Sequence, residues 1–562
     1  MRVLVTADRE GEGLLQAVAE DGAPAGPVRR VRDVAAAMGE WERAEQPRWV
    51  WAATGETYQP LLRAGLRVAR CHDLALTEGV LLAHEGRWGE PHSFAAALAR
   101  LRGLPVPEDR WRAPHEDQLA LFEPDRSDLP EGDGLLEAVL AVHAEQQRRL
   151  AAAEQPDRLG LLVAAESAGA LAAGEMAEVG LPWRADVHDA VLTELLGRRP
   201  PAGTLPARLR ELAERIGAAF GGQQVNADSP AQVLRAFAAA GMPLSSTRSH
   251  VLRGVDHPAV PLLLEYKELS RLHAAYGWSW LDAWVAAGRF RPAYVPGGVV
   301  SGRWATRGGG ALQIPKAVRR AVVADPGWTF VVADASQLEP RVLAALSGDH
   351  GLARAAGTGD LYATLAADAF GGDRARAKVA LLAAMYGGDA GQLMGVLRRR
   401  FPAAVGYVEA AARAGEEGRL VRSRLGRTCP PPSAGWLELT AGAGRSEPEA
   451  EPDGRARRAA RDRGRFTRNF VVQASAADWA LVVLAGLRRR LTELGGDDPA
   501  ARPELVFFQH DEVVVHCRRR DAGAVTGAVV DAAEEARRLV FGDTPVRFPL
   551  VGVVVDCYAD AK

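Results

Sequence analysis

Short, wholly apolar runs and longer periodic ones divide the chain into three stretches. Residues 1–105 carry brief apolar runs, MRVLVTA, RWVWAAT and LRVARCHDLAL, between Ala-rich segments of helical period. That alternation predicts a small α/β unit. A polar stretch rich in Pro and acids follows, from LPVPEDRWRAPHED to FEPDRSDLPEGDG, and reads as an irregular connection. From about 134 to 285 the apolar positions take helical spacing in long Ala/Leu segments, interrupted at GLPWRADV, GRRPPAGTLP and AGMPLSST. From about 290 onward strands and helices mix. The clearest strands are WTFVVAD (328–334), LVFFQHDEVVVHC (505–517) and PLVGVVVDCY (549–558). Residues 441–454, AGAGRSEPEAEPDG, are low in complexity and are expected to be a disordered insertion. No internal repeat is visible.

Length and charge narrow the picture. A chain of 562 residues is too long for one ordinary core, so two to four domains are expected. Its 48% hydrophobic and 25% charged content are those of a globular protein. With 69 basic against 71 acidic residues there is no global basic field, so any nucleic-acid contact must rest on local patches. Lys267, Lys316, Lys378 and Lys562 are the only lysines, so a lysine here carries more information than an arginine. Cys71, Cys429, Cys517 and Cys557 stand alone, which suggests neither a disulfide framework nor a zinc site. The N-terminus reads as a strand and not as a signal peptide. No apolar run approaches the ~18 residues of a membrane span. A reducing, cytoplasmic setting with no membrane contact is expected.

Four segments can carry chemistry. In DASQLEPR (334–341) the buried-strand pattern TFVVAD ends on Asp334, and a short helix with Pro340 at its first position and Gly348 just past its end follows. Proline disfavours helical geometry in the residue before it, so Glu339 is expected to sit at the junction and outside the helix. Ser336-x-x-Glu339 also fits a capping box, which would use both residues structurally. In FFQHDEVVVHC, two apolar runs flank Gln509, His510, Asp511 and Glu512, the pattern of a hairpin with acids at its tip. Turn preference alone explains one Asp there. Two acids among Phe507, Phe508 and three valines suggest a half-buried tip, which needs a cation, and a divalent metal shared with Asp334 would supply it.

The third segment is DRARAKVALLAAMYGG (373–388), where Arg374, Lys378, Leu382 and Tyr386 recur at i+4 and form one helical stripe about 18 Å long. Its cations can face a polyphosphate while the Tyr end meets a base or sugar. An amphipathic helix with a solvated basic end is the alternative. The fourth, 454–480, opens with seven arginines in 455–468 against Asp462 alone, the local patch that the neutral total demands. Asn469 and Gln473 share one helical face there and can reach groove atoms of a duplex.

Taken in order, these segments resemble the family A DNA polymerases, the bacterial DNA polymerase I type, from about residue 220 to the C-terminus. SGRWATRGGGALQIPKAVRRAVVADPGWTFVVADASQLEPRVLAALSGD is similar to the stretch through the family's first acidic motif. DRARAKVALLAAMYGG resembles its fingers helix, NFVVQASAAD and FFQHDEVVV its later motifs, and PLVGVVVDCYADAK its closing strand. VNADSPAQV and LLLEYKELSRL are similar to thumb segments. The resemblance implies a multidomain α/β fold, a right-hand palm, fingers and thumb preceded by a small α/β exonuclease-like (ribonuclease H-like) domain. The expected boundaries are 1–133 for a degenerate 3′–5′ exonuclease-like domain and 134–289 for a helical connection and thumb. Palm and fingers take 290–562, with fingers at about 350–430.

The resemblance further implies a monomeric DNA polymerase of repair or gap filling that binds primer–template DNA and dNTPs. Asp334 and Asp511 would hold two Mg²⁺ ions, roughly 3.5–4 Å apart in such sites, with Glu512 assisting. Arg374 and Lys378 would hold the triphosphate, and Lys378 would protonate the departing pyrophosphate. Glu339 would be a sugar gate beside Tyr386, Gln337 would support the incoming nucleotide, and Leu382 stands where the family has an aromatic residue. Arg303, Gln313, Arg465, Asn469, Gln473 and His510 would contact primer–template. Further departures are Tyr362 for a family His, Pro340 for an aliphatic residue, a missing Asn in QIP (313–315) and a short stretch between Phe370 and Arg374. RCHDLALTEGVLL (70–82) and LVAAESAGALAAGEMAEVGLPWRADV resemble exonuclease-domain segments. Proofreading needs a set of four carboxylates, of which Asp8-x-Glu10 alone is suggested, so 3′–5′ exonuclease activity is expected to be absent. No 5′-nuclease domain is expected ahead of it.

Overall fold

In the computed structural model, five short strands at the N-terminus form a mixed sheet in the order Arg29–Val31, Gly13–Val18, Arg2–Ala7, Arg48–Trp51, Arg70–Asp73. The first three are antiparallel and the last two run parallel to Arg2–Ala7. The structure describes all residues except 9, 20–21, 110–128, 202, 311–313, 358, 389–390, 442–453, 497 and 562. The expected insertion at 441–454 and Gln313 therefore fall almost wholly or wholly outside the described residues. Strands Arg2–Ala7 and Arg48–Trp51 are buried on both faces, which is why VLV and WVW are unbroken apolar runs.

The chain divides into two compact units. One comprises residues 1–178, 293–306 and 331–553. It holds the N-terminal sheet and most of a second, four-stranded sheet in the order Glu504–Gln509, Glu512–Arg518, Trp328–Ala335, Leu550–Val555. Helices Pro402–Glu416, Gly454–Gly495 and Ala522–Phe541 pack beside this sheet around one core. Two helices, Pro156–Val179 and Gly454–Gly495, are long and apolar enough to cross a membrane by length and composition, contrary to the reading of the sequence. Both bury most of that apolar length inside the protein, as core helices do.

Two buried charge clusters tie residues 1–178 to the long helix Gly454–Gly495. Arg427 Nη2 lies 2.6 Å from Glu166 and its Nε 2.9 Å from Asp478. Arg488 Nε and Nη2 donate to the two oxygens of Glu175 at 2.9 and 2.6 Å, and its Nη1 donates to the Ala69 carbonyl. Tyr58 donates its hydroxyl to the same Glu175 at 2.6 Å.

The other unit, residues 179–292, 307–330 and 554–562, is mainly helical. Trp183, His188, Trp280 and Phe290 form its aromatic centre. Burial depresses the His188 pKa to about 4, so the ring is neutral. Its Nδ1 accepts from the Trp183 indole, which leaves Nε2–H to donate to the Tyr276 carbonyl at 2.9 Å.

Candidate active site

Strand Trp328–Ala335 is buried along its length until Asp334, which is half-buried. The next turn is built around Gln337, whose φ of 58° and ψ of 43° are left-handed. Helix Leu338–Ser347 begins immediately after it and ends, as expected, on left-handed Gly348. Glu339 is therefore inside the helix, and Pro340 is its third residue and not its first. This corrects the expectation that proline would keep Glu339 out of the helix. The first four N–H groups of a helix have no intrahelical acceptor, so a proline there removes no bond. The departure from regular geometry falls two residues earlier, on Gln337. Gln337 caps the helix without a side-chain bond, so no capping box forms.

The second acid pair comes from the expected hairpin. Gln509 pairs with Glu512 across a two-residue turn, His510–Asp511, in which His510 has the positive φ (57°) that such tight turns demand. The Ala335 amide donates to the Asp511 carbonyl at 3.0 Å, which sets Asp511 against the strand end that carries Asp334. Glu512 is the first residue of its strand and is only 3% exposed, so the tip buries one acid and half-buries the other. The hairpin is held by Tyr294, whose hydroxyl accepts from the Phe508 amide at 3.2 Å, and by Trp304 packed edge-on to Phe508.

Asp334 and Asp511 line one open recess of about 370 Å³ together with Gln337, Glu339 and His510. Arg303, Tyr362, Leu382 and Tyr386 close its other sides. Both oxygens of Glu339 are engaged, one by the Arg303 guanidinium and the other by the Tyr386 hydroxyl. Burial and the Glu339 bond push the Tyr386 pKa above its ordinary value, so the phenol stays a proton donor. Gln473 bonds the same hydroxyl. Burial, with Arg303 nearby, lowers the His510 pKa and favours its neutral form.

Helix Arg374–Tyr386 carries the expected stripe, capped by Asp373 and ended by left-handed Gly387. Arg374 and Lys378 are exposed on it, outside the lining of the recess. Arg374 Nε donates to Asp360 at 2.9 Å, and its guanidinium lies 5.6 Å from the Tyr362 ring centroid. Asp360 also accepts from the Gln337 side-chain amide at 2.9 Å, while the Gln337 oxygen accepts from the Leu361 amide. Burial works against charge on Asp360, but the Arg374 and Gln337 bonds outweigh it and hold its carboxyl below the usual range. Arg465 pairs with Asp462, and Asn469 has a buried side-chain oxygen with no hydrogen-bond partner. At Gly387 lies a further recess of about 290 Å³ lined by Arg413, Arg461, Arg465 and Arg468 together with Glu409 and Glu416.

Two positioning residues were not anticipated. Asp360 organises Gln337 and Arg374 together. Arg341 is fully buried, and its guanidinium donates to the carbonyls of Ser336 (3.0 Å), Gly359 (2.7 Å) and Arg547 (3.0 Å), fixing the turn that follows Asp334. The motif itself hints at Arg341, since an arginine one residue past a proline in an apolar helix requires acceptors.

Among the described residues no group of three or more His, Cys, Asp or Glu is arranged to hold a metal. Mg²⁺ does not require one: it is commonly bound by one or two carboxylates together with substrate phosphates and water. The oxygen-only pair Asp334 and Asp511, half-buried at one open recess, fits that ion. At the N-terminal end, the Asp8 carboxylate accepts from the amides of Glu10 (2.9 Å) and Glu12 (3.0 Å), which closes the turn between two strands.

Comparison with known proteins follows the same lines. The chain is 29% identical over 382 residues to a thermostable DNA polymerase I of Thermus thermophilus, which covers 61% of this chain and 42% of that protein. It is 28% identical over 486 residues to DNA polymerase I of Mycobacterium bovis, covering 79% of this chain and 51% of the relative. The chain thus spans about half or less of the length of these relatives. Its fold is similar to the polymerase domain of Pol1 from M. smegmatis, solved with DNA primer-template and dNTP, with a TM-score of 0.71, 20% identity, and coverage of 100% of this chain and 95% of that one. Palm, fingers and thumb are the architecture these likenesses share. The family model for DNA polymerase family A matches residues 202–550, and the chain belongs to that family.

Proposed function

We propose that this chain is a DNA-templated DNA polymerase that adds dNTPs to a primer 3′ end, acting in repair or gap filling as a cytoplasmic monomer. The observation that carries the reading is the meeting of Asp334 and Asp511 in one recess with Glu339, Arg303 and Tyr386. Two Mg²⁺ ions on Asp334 and Asp511 would supply Lewis acidity to the attacking and leaving oxygens. Everything else falls to the chain's own groups, because phosphoryl transfer depends chiefly on positioning and charge neutralisation. Arg374 and Lys378, exposed on one stripe, receive the triphosphate, and Lys378 gives a proton to the departing pyrophosphate. Arg465, Asn469, Gln473, Arg303 and His510 hold primer–template, and the arginine recess at Gly387 adds phosphate contacts. We also propose that 3′–5′ proofreading is absent, supported by the use of Asp8 in a turn.

Extension of a labelled primer with each dNTP and Mg²⁺, run beside digestion of a mismatched end, tests both points. Templated extension without shortening of the mismatched end is expected. Normal duplex binding with no incorporation would favour a catalytically weak primer–template binding protein instead, a reading motivated by Leu382 where the family has a ring.

Glu339 gives a sharper prediction. Its carboxylate is held by Arg303 and Tyr386 and so cannot swing aside for a ribose 2′-hydroxyl. Glu339→Ala should raise ribonucleotide over deoxyribonucleotide incorporation by about tenfold or more. Glu339→Gln keeps the bulk and should stay selective. Equal sugar selectivity in wild type and Glu339→Ala would show that the gate lies elsewhere.

A further inference from the structure

A separate cavity of about 210 Å³ lies where the start of helix Pro156–Val179 meets the loop 422–426, and it shares no lining residue with the Asp334/Asp511 recess. Arg158, Arg422 and Arg424 line it with His84 and Tyr407, and Glu154 is the one carboxylate among its lining residues. Glu154 is matched to Arg422 at 3.4 Å. Among the described residues neither Arg158 nor Arg424 has a carboxylate within 4 Å. The Arg158 guanidinium bonds the Gln155 side-chain oxygen, and Arg424 donates from Nε to the Val540 carbonyl at 3.3 Å, a bond that uses neither terminal nitrogen.

Arg427, three residues past Arg424, is clasped by two acids. The guanidiniums of Arg158 and Arg424 share the cavity with a single carboxylate, Glu154, which is matched to Arg422, and burial with Arg158 nearby lowers the Arg424 pKa. At about 210 Å³ the cavity can admit a small anion such as a diphosphate.

We propose that this cavity binds a small polyphosphate anion of the size of pyrophosphate, held by Arg158, Arg422 and Arg424 with the Tyr407 hydroxyl as a neutral donor. Guanidiniums suit this role because each offers a planar fork of donors to two phosphate oxygens. The site stands independently of the polymerase reading, since none of its residues belongs to that machinery.

Calorimetric titration of the full chain with pyrophosphate at low salt tests it. Lys378→Met serves as the background, so that phosphate binding on the Arg374–Tyr386 helix does not mask the cavity. One pyrophosphate per chain should still bind that variant. Adding Arg158→Met or Arg424→Met should weaken the binding about tenfold each, and Arg158→Lys should recover part of it. Among the described residues Arg158 makes no ion pair, so its replacement leaves the melting temperature close to wild type and separates lost binding from lost fold. The proposal is overturned if Lys378→Met binds no pyrophosphate, or if both methionine variants bind it as tightly as their background. Binding of a 5′-phosphorylated oligonucleotide with no response to pyrophosphate would assign the cavity to DNA and overturn it equally.

Discussion

Asp511→Asn is expected to lower the rate of single-nucleotide primer extension by about 10³-fold while duplex binding and melting temperature stay near wild type. The size follows from removing one of the two carboxylates that would hold the Mg²⁺ ions, whose neutralisation of charge at the reacting phosphate contributes several kcal/mol. Asparagine is the informative replacement. It is well tolerated in turns, and the Ala335 amide bonds the Asp511 carbonyl and not its side chain, so the hairpin retains its anchor. Asp334→Asn should behave alike, because both acids face the same recess. Both variants should require more Mg²⁺ for half-maximal rate, and chelation should silence the wild type. A rapid-quench time course over a Mg²⁺ titration reads all of this. Wild-type rates in either variant would remove the pair from the chemistry.

The largest effect on stability is expected at Arg427. This guanidinium sits between Glu166 and Asp478, which are 3% and 0% exposed, and it is itself only 10% exposed. Burial raises the pKa of both acids, and Arg427 pulls each back part of the way. Arg427→Met leaves two carboxyls buried without their cation and should cost about 3–5 kcal/mol. The sign of the pH dependence follows. An acid with a raised folded pKa is favoured when protonated, so its contribution is full below the unfolded value and is lost as pH rises through the folded one. Without Arg427 both folded values rise further. Urea melts should therefore show the Arg427→Met deficit growing from acid toward neutral pH. Adding Glu166→Gln and Asp478→Asn should return much of the loss, since the burden is charge and not shape. A deficit independent of pH would mean that packing, not electrostatics, governs this position.

How much of this was legible depended on sequence distance. The strand ending at Asp334, the hairpin at 510–511 and the cationic stripe at 374–386 are local patterns, each written within a dozen or so residues, and all three form. Glu339 beside Tyr386 lies 47 residues apart and was reached only through the family resemblance. Arg341, Asp360 and Arg427 escaped notice because their partners lie on other elements. Arg427 meets Asp478 51 residues on, and Arg488 meets Glu175 313 residues back. In a chain with so many arginines, nothing local marks Arg427 or Arg488 as buried. Pro340 misled for a different reason. The rule that a proline repels helix from its predecessor is a steric preference and not a prohibition, and Glu339 is helical in spite of it, in a first turn where Pro340 breaks no bond. The strain fell on Gln337 instead, whose side chain is then free to reach Asp360.

The two buried arginine clusters also bear on where the chain can be cut. Glu166 and Glu175 both sit in helix Pro156–Val179, before the family-matched stretch begins at residue 202. A shortened version that keeps only the matched stretch would discard Glu166 and Glu175, leaving Arg427 with Asp478 alone and Arg488 without its carboxylate partner. The N-terminal layer thus acts as an electrostatic lining for the long helix, whatever else it does. A minimal version of this chain is therefore a recoding problem before it is a truncation: Arg488, and Arg427 together with Asp478, would have to become apolar before the first 178 residues could be dispensed with.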